Sequence, residues 1–371
     1  MRGYLQLRAS EVLPHDGLAL EVPSDRSVNG TESIMIRRGR LVLSGDASSR
    51  LSIYAQLELA GSTGSGDFAA QTRDLYADLS FDAKKDFRLR LGQSKVPYGF
   101  VNLQSSQNRA PLERPEGINS AVEGERDIGA FFMWAPAAKR AMFREITTLG
   151  LKGTGDYGVL AIGAYSGQGL NRPDQNGDPH VVARLTQPIK LASGQFAELA
   201  VQAYKGNFVS TTQAIAAGTG GANITPAIRP RGVADERVGV TAVWYPQPFG
   251  VEAEWNVGRG PALSADSRNI ESASLRGGYV QLNYRHKRAN ATTVMFPFTR
   301  WNYYDGGRKF ARNAPMTKVN EMDFGLEFSP WADAEFTAVF TRTIERTRTS
   351  AYPYAATKDA NRIGLQVQWN F

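Results

Sequence analysis

The chain ends Arg362-Ile363-Gly364-Leu365-Gln366-Val367-Gln368-Trp369-Asn370-Phe371. Ile363, Leu365, Val367, Trp369 and Phe371 are apolar, and the residues between them are polar or glycine. Side chains of a strand alternate between its two faces. One face of this segment is therefore apolar and the other wet. The same period of two returns in Leu51–Leu59, with Ser52, Tyr54, Gln56 and Glu58 on the polar side, and in Phe87–Leu91, with Arg88 and Arg90 opposite. It recurs at 197–203, 251–257, 280–284, 322–328 and 336–340.

Roughly sixteen such segments can be marked, each about ten residues long, the length a tilted strand needs to cross a bilayer. They run approximately 2–9, 33–43, 50–59, 72–81, 87–95, 126–135, 157–166, 180–188, 195–205, 236–245, 249–258, 275–286, 292–304, 319–329, 332–345 and 361–371. Short connections (44–49, 82–86, 188–194, 246–248, 329–331) contrast with long ones (10–32, 96–125, 167–179, 208–235, 259–274, 347–360). Turns at one end and loops at the other fit a transmembrane barrel with both termini on the turn side, and so an even strand count. Residues 137–155 break the scheme. They sit where a short turn belongs, and their sequence suits a helical turn or an extra hairpin.

A dry core could not accept the faces that carry Arg, Glu, Asp, Gln and Asn. A water-filled lumen accepts them readily, and hydrocarbon forces the sheet to close. Sixteen strands leave an aqueous channel. The expectation is all-β: one domain over 1–371, a sixteen-stranded antiparallel transmembrane barrel with short periplasmic turns and long extracellular loops.

The composition agrees. Mean hydropathy is slightly negative, and no run approaches the ~18 apolar residues of a spanning helix. Phe (18), Tyr (14) and Trp (6) suit strands and membrane interfaces. Trp244, Tyr245, Trp255, Tyr284, Trp301, Tyr303, Trp331 and Trp369 stand near strand ends, where an aromatic girdle is expected. There is no Cys, hence no disulfide or thiolate chemistry. The net charge is +7, but no dense basic block or nucleic-acid motif accompanies it, so no nucleic-acid partner is expected. Met1-Arg2-Gly3-Tyr4 leads directly into an alternating segment, so the barrel reading expects any export signal to have been removed already.

Several stretches resemble the phosphate-selective porins O and P of Gram-negative outer membranes. Ile36–Leu59, with its Arg37-Arg38 pair, resembles the family's second and third strands. Leu89–Asn108 resembles the strand entering the inward-folded third loop, and Glu125–Phe132 resembles that loop's exit. Gly163–Asp178, Phe296–Pro315 and the terminal Trp369-Asn370-Phe371 complete a likeness along essentially the whole chain. The resemblance implies a trimeric outer-membrane channel for small anionic solutes, with outer-membrane lipid and lipopolysaccharide around it and no cofactor. Arg37-Arg38 match the family's basic pair, and Arg126 matches the Arg at the loop exit. Phosphate-selective members carry a Lys after the Ser-Ser of the loop. This chain has Ser105-Ser106-Gln107, which implies a broader channel.

Parity places Arg38, Arg40, Arg88, Arg90, Arg184, Arg285 and Arg300 on the lumen face. A ladder of guanidinium groups in a low-dielectric wall focuses anions. The alternative is that each pairs with a lumen acid, with Glu58, Asp74, Asp78, Glu252, Glu254, Asp323 and Glu327 as candidates. Loop 96–125 is the expected constriction. Lys95, Arg109 and Arg114 would face Glu113, Glu116, Glu123 and Glu125 across a transverse field, unless the loop simply stays outside. Asp174-Gln175-Asn176-Gly177-Asp178 lacks the spacing of a calcium loop and reads as a polar turn. The glycine cluster at 217–223 has no Lys or strand–helix context and is no phosphate loop. His15, His180 and His286 offer no His–Ser pair, so no enzyme is expected. A surface adhesion barrel and a channel tuned to carboxylates or sugars are the other readings.

Overall fold

The computed structural model describes residues 2–14, 20, 34–60, 70–216, 222–287, 292–348 and 357–371. Its wall is built from β1 (Arg2–Pro14), β2 (Ile34–Asp46), β3 (Leu51–Glu58), β4 (Gln71–Ser80), β5 (Phe87–Lys95), β6 (Arg126–Trp134), β7 (Leu160–Tyr165), β8 (His180–Lys190) and β9 (Phe196–Phe208). It continues through β10 (Val233–Trp244), β11 (Phe249–Leu263), β12 (Ile270–Tyr284), β13 (His286–Lys287), β14 (Val294–Gly307), β15 (Met316–Trp331), β16 (Ala334–Arg348) and β17 (Lys358–Asn370). β12 and β13 flank Arg285, and both pair with β14, so they share one place in the wall. Sixteen places result, all joined antiparallel. The circle closes where β1 pairs with β17 from Tyr4↔Asn370 to Pro14↔Ala360.

Alternation decides which face meets which solvent. On β9, Val201 is 51% exposed and its neighbour Gln202 only 3%. On β17, Leu365 is 53% exposed and Gln366 7%. Apolar side chains point to lipid, and polar ones are packed inside. Among the girdle residues Trp244, Trp301, Trp331 and Trp369 are exposed on the outer face, and Trp255 stacks with Trp301 and Tyr303 at 6.2 and 6.1 Å. Tyr245 departs from that expectation. It is buried, and its hydroxyl donates to Glu198 at 2.9 Å. It lies just past the end of β10, where strand parity no longer governs direction.

Observed strands on the β10–β17 side are longer than the alternating segments, running 12 to 16 residues apart from the two-residue β13. Above the bilayer lipid no longer demands alternation, but the backbone ladder goes on. The long loop expected over 259–274 is thus mostly strand. Arg259↔Ser274 through Leu263↔Ile270 remain in register, and only 264–269 form the connection. The irregular stretch 137–155 is not a hairpin. It carries α3 (Ala137–Thr148), whose Phe143 and Ile146 are buried.

Lipid-facing charge gives the direct check of this assignment. Val201→Lys should destabilise the folded barrel by ~2–4 kcal/mol at mid-depth. Ser44→Lys, at the water-exposed end of β2, should cost under ~1 kcal/mol. Urea unfolding in lipid vesicles measures both.

Candidate functional site

Loop 96–125 enters the lumen and is buried there along most of its length. It carries two short helices, α1 (Phe100–Leu103) and α2 (Glu116–Asn119). The Glu254 carboxylate on β11 accepts the backbone N–H groups of Phe100 at 2.6 Å and Val101 at 2.8 Å, which occupies donors that a helix start leaves unpaired. Arg237 on β10 donates to the Gly117 carbonyl and to Ser120, and Asn256 also donates to Gly117. Gly117 is required by this approach. A Cβ there would lie 2.5 Å from the backbone nitrogen of Gly278 and 2.7 Å from the carbonyl carbon of Gly277. Farther along the loop Ala110 packs with Phe296, Phe298 and Val339.

Two carboxylates lock the rest. Glu113 receives Arg8 at 2.7 Å, Arg37 at 2.8 Å and Arg38 at 3.1 Å. Glu125 pairs with Arg114 and Arg126, and Lys95 and Arg109 each stand 3.7 Å away. Burial by itself would raise both carboxyls. Arg37, Arg38 and Arg8 around Glu113, and Arg114, Lys95 and Arg126 around Glu125, outweigh it and hold both well below the usual carboxylate range. The charges expected to oppose one another across the pore are therefore in contact on one side of it. Glu116 likewise pairs with Arg308 at 3.1 Å.

The wall arginines also have partners. Arg40 binds Glu58 at 2.5 Å and donates to Ser106 of the loop at 3.0 Å. Arg90 forks onto Asp78 at 2.7 and 2.8 Å, and Arg126 onto Asp74 at 2.9 Å. Arg184 meets Glu198 at 3.4 Å, Arg300 meets Asp323 at 2.6 Å, and Arg88 meets Asp156 at 2.8 Å. The paired reading of the ladder thus describes most of it. Lys95 also donates to the Leu103 carbonyl at 3.1 Å and to that of Gln104. Arg285 stands apart from the rest. The ladder breaks there, and its guanidinium donates to the Leu149 carbonyl, at 2.9 Å, beyond the α3 end.

Two cations in the lumen owe their direction to β-bulges. Register shifts between Gln6 and Leu7 against β2, leaving Arg37 as the extra residue, and both Arg37 and Arg38 reach Glu113. It shifts again between Gln56 and Leu57 against β4, leaving Arg73 as the extra residue. Parity sends Arg73 to lipid, yet the bulge turns it inward, where it donates to Gln71 and to the Gly124 carbonyl. Among the described residues Arg73 has no carboxylate partner. Arg8, Arg172 and Arg237 were likewise absent from the sequence candidates. Arg8 and Arg237 fall within the alternating segments 2–9 and 236–245 and share their polar parity, whereas Arg172 comes from a loop.

Above the docked loop, toward the extracellular side, lies a cavity of about 420 Å³. Arg37, Arg38, Arg40, Arg73, Arg114 and Arg172 line it, against Glu58, Glu113, Glu123 and Glu125. Among the described residues, six guanidinium groups thus face four carboxylates.

The other motifs are structural. Asp174 Oδ1 accepts the N–H groups of Asn176 and Gly177, which makes a polar turn. Among the described residues no group of three or more His, Asp or Glu is placed to hold a metal ion. His180 is fully buried, with Nε2 3.3 Å from Asp235 Oδ2 and its ring against Tyr165 and Tyr204. His286 is exposed on β13. His15 and residues 217–221 of the glycine cluster lie outside the described residues.

A closed sixteen-place barrel with an apolar exterior, a charged interior and an inward-folded third loop is an outer-membrane diffusion channel. The chain belongs to the family of phosphate-selective porins O and P, whose model matches residues 19–371. Solved structures share the fold at low identity. The outer-membrane channel DcaP of Acinetobacter baumannii is 14% identical, with a TM-score of 0.57 over 100% of this chain and 96% of that one. OmpT of Vibrio cholerae is 9% identical, with a TM-score of 0.56 over 100% and 96%. Pseudomonas putida OprB is 8% identical, with a TM-score of 0.57 over 100% and 93%. No curated protein sequence matched the chain. Its place is the bacterial outer membrane, and its class is that of passive channels.

The loop's anchoring has a pH dependence of definite sign. Carboxyls depressed in the folded state contribute stability that is complete above their ordinary pKa of about 4.3 and is lost as pH falls through the folded value. Single-channel conductance should therefore hold steady from pH 7 to pH 5 and become noisy only in stronger acid. Glu113→Gln should bring that noise to pH 7, because removing one partner of a buried pair costs about 3 kcal/mol.

Proposed function

We propose that the protein is an anion-preferring general porin for small hydrophilic solutes, with loop 96–125 as its constriction. The observation that carries this reading is the charge around the 420 Å³ cavity. Among the described residues that line it, six guanidinium groups against four carboxylates leave a surplus of two positive charges where solutes enter. Ion pairing fixes the arginines without cancelling that surplus. Arg73 and Arg172 make it, since neither has a carboxylate partner among the described residues. Guanidinium forks suit carboxylate and phosphate oxygens alike.

Phosphate as the dedicated solute has less support. At the loop position that resembles the phosphate-selective Lys stands Gln107, whose carbonyl accepts a bond from Gln368 at 3.2 Å. The pore is accordingly read as broad, passing carboxylate and inorganic anions. A homotrimer is the proposed assembly, in keeping with the family and with OmpT of Vibrio cholerae, one structure of which is described as a trimer form. Outer-membrane lipid and lipopolysaccharide would surround the exposed apolar band.

Planar-bilayer recording under a KCl gradient tests the reading, and the expected reversal potential has the sign of chloride preference. One unit charge about 6 Å from the ion path in water is worth ~0.7 kcal/mol, roughly a three-fold change in anion occupancy. Arg73→Ala should therefore lower the chloride-to-potassium permeability ratio about two- to three-fold, and Arg172→Ala less, from its more exposed position. A cation-selective parent channel would overturn the proposal. A parent with no conductance would turn attention to the adhesion reading.

A further inference from the structure

The segment between β6 and β7 replaces a short periplasmic turn with some two dozen residues that cross the barrel mouth. From the end of β6, α3 runs beside the periplasmic ends of β8, β9 and β10. Lys139 donates to the Pro188 carbonyl at 2.9 Å, and Glu145 pairs with Lys190 at 2.5 Å. Ile146 is buried in a cluster with Phe196, Val243, Tyr245 and Phe100 of the constriction loop. After α3 the chain passes Arg285 and reaches β15, where Lys152 binds Glu327 at 2.7 Å. β15 stands eight places from β6 in a sixteen-place wall, which is the opposite side of the barrel. The chain then returns, and Asp156 meets Arg88 of β5 at 2.8 Å and Arg140 at 3.0 Å.

The segment thus spans the full diameter and is fixed at both ends and at its far point. It also touches the constriction loop directly, since Gln104 donates to the Lys152 carbonyl at 2.7 Å. On the remaining side, a cavity of about 280 Å³ is lined by residues of β2, β3 and β4 alone, including Asp46, Ser52, Tyr54 and Asp78. Beside that cavity stands Arg90, forked onto the lining residue Asp78. Its guanidinium lies 3.9 Å from the Tyr76 ring centre and 5.5 Å from that of Tyr157, the residue the insertion brings back to the wall. Tyr76 stacks in turn on Tyr54 at 5.1 Å.

We propose that the 137–157 insertion is a second selectivity filter, in series with loop 96–125, that confines the periplasmic exit to the β2–β5 wall and steers solutes past Arg90 and Tyr157. A passive pore limited by one loop needs no structure at its other mouth. Here the second structure leaves a passage beside Arg90, which is held between two aromatic rings and forked onto Asp78. Pore width and lining charge at a constriction set what passes. The inference rests on the channel reading, and the test separates the two.

The chain has no native Cys, so a single introduced thiol reports cleanly. Tyr157→Cys channels in a planar bilayer are exposed to an anionic and, separately, a cationic methanethiosulfonate. Either reagent should lower conductance about two-fold or more, and the anionic one should also reduce chloride preference. Ala192→Cys, exposed in the β8–β9 turn outside the insertion, should show neither effect. Replacing 137–157 with a short turn should raise conductance about two-fold or more. If that variant fails to fold, the thiol result decides alone. Modification of Tyr157→Cys, confirmed by mass, with unchanged conductance would overturn the inference. Failure of either small reagent to reach the thiol would overturn it equally. A parent protein that never conducts would instead defeat the channel reading itself.

Discussion

A sheet in hydrocarbon has no water to satisfy an unpaired edge, and this constraint shapes everything else in the molecule. β1 must find β17, and it does so over eleven consecutive residue pairs. Once the circle is closed, strand geometry sends alternate side chains to lipid and to the lumen. Lipid excludes charge from the outer face. The charged residues of the wall at bilayer depth therefore gather inside, while outward ones such as Arg276 and Arg342 stand at the extended upper strand ends.

That crowding explains the site. Glu113 and Glu125 each draw several cations onto one loop, and the loop becomes a fixed part of the lumen rather than a mobile flap. A buried carboxylate with several guanidinium partners gains more from charge than it loses by desolvation. Gly117 against Gly277 and Gly278 lets the loop backbone press on the wall without a side chain between them. What remains for solutes is the space beside β2–β5. Two bulges there add cations that a regular strand would have turned toward lipid.

The alternation was legible throughout: it marked every wall strand, the inward direction of Arg38, Arg40, Arg90, Arg184 and Arg300, and the 87–95 segment to the residue. It failed where the cause lay outside the strand. Arg73 is misplaced by parity because a bulge depends on register with β3, which no single segment encodes. The upper ends of β11 and β12 carry no alternation because they meet no lipid. Arg285 keeps lumen parity but belongs to the periplasmic rim, since the ladder breaks at it. Tyr245 looked like a girdle residue and instead packs with α3, a contact across a hundred residues of chain. The 137–155 irregularity was visible as an exception to the turn pattern, but its path across the mouth depends on Glu327 and Arg88, distant in sequence.

The division of solvents is the claim on which every functional statement depends, and alternate-residue labelling along β3 tests it most directly. Single cysteines at Ser52 and Tyr54, which line the lower cavity, and at Ile53 and Ala55, on the opposite face, would be treated with a membrane-impermeant thiol reagent, or labelled with a fluorophore in vesicles containing brominated lipid. Positions 52 and 54 should react from water, and positions 53 and 55 should be quenched by lipid. Uniform reactivity, or the opposite phase, would contradict the account.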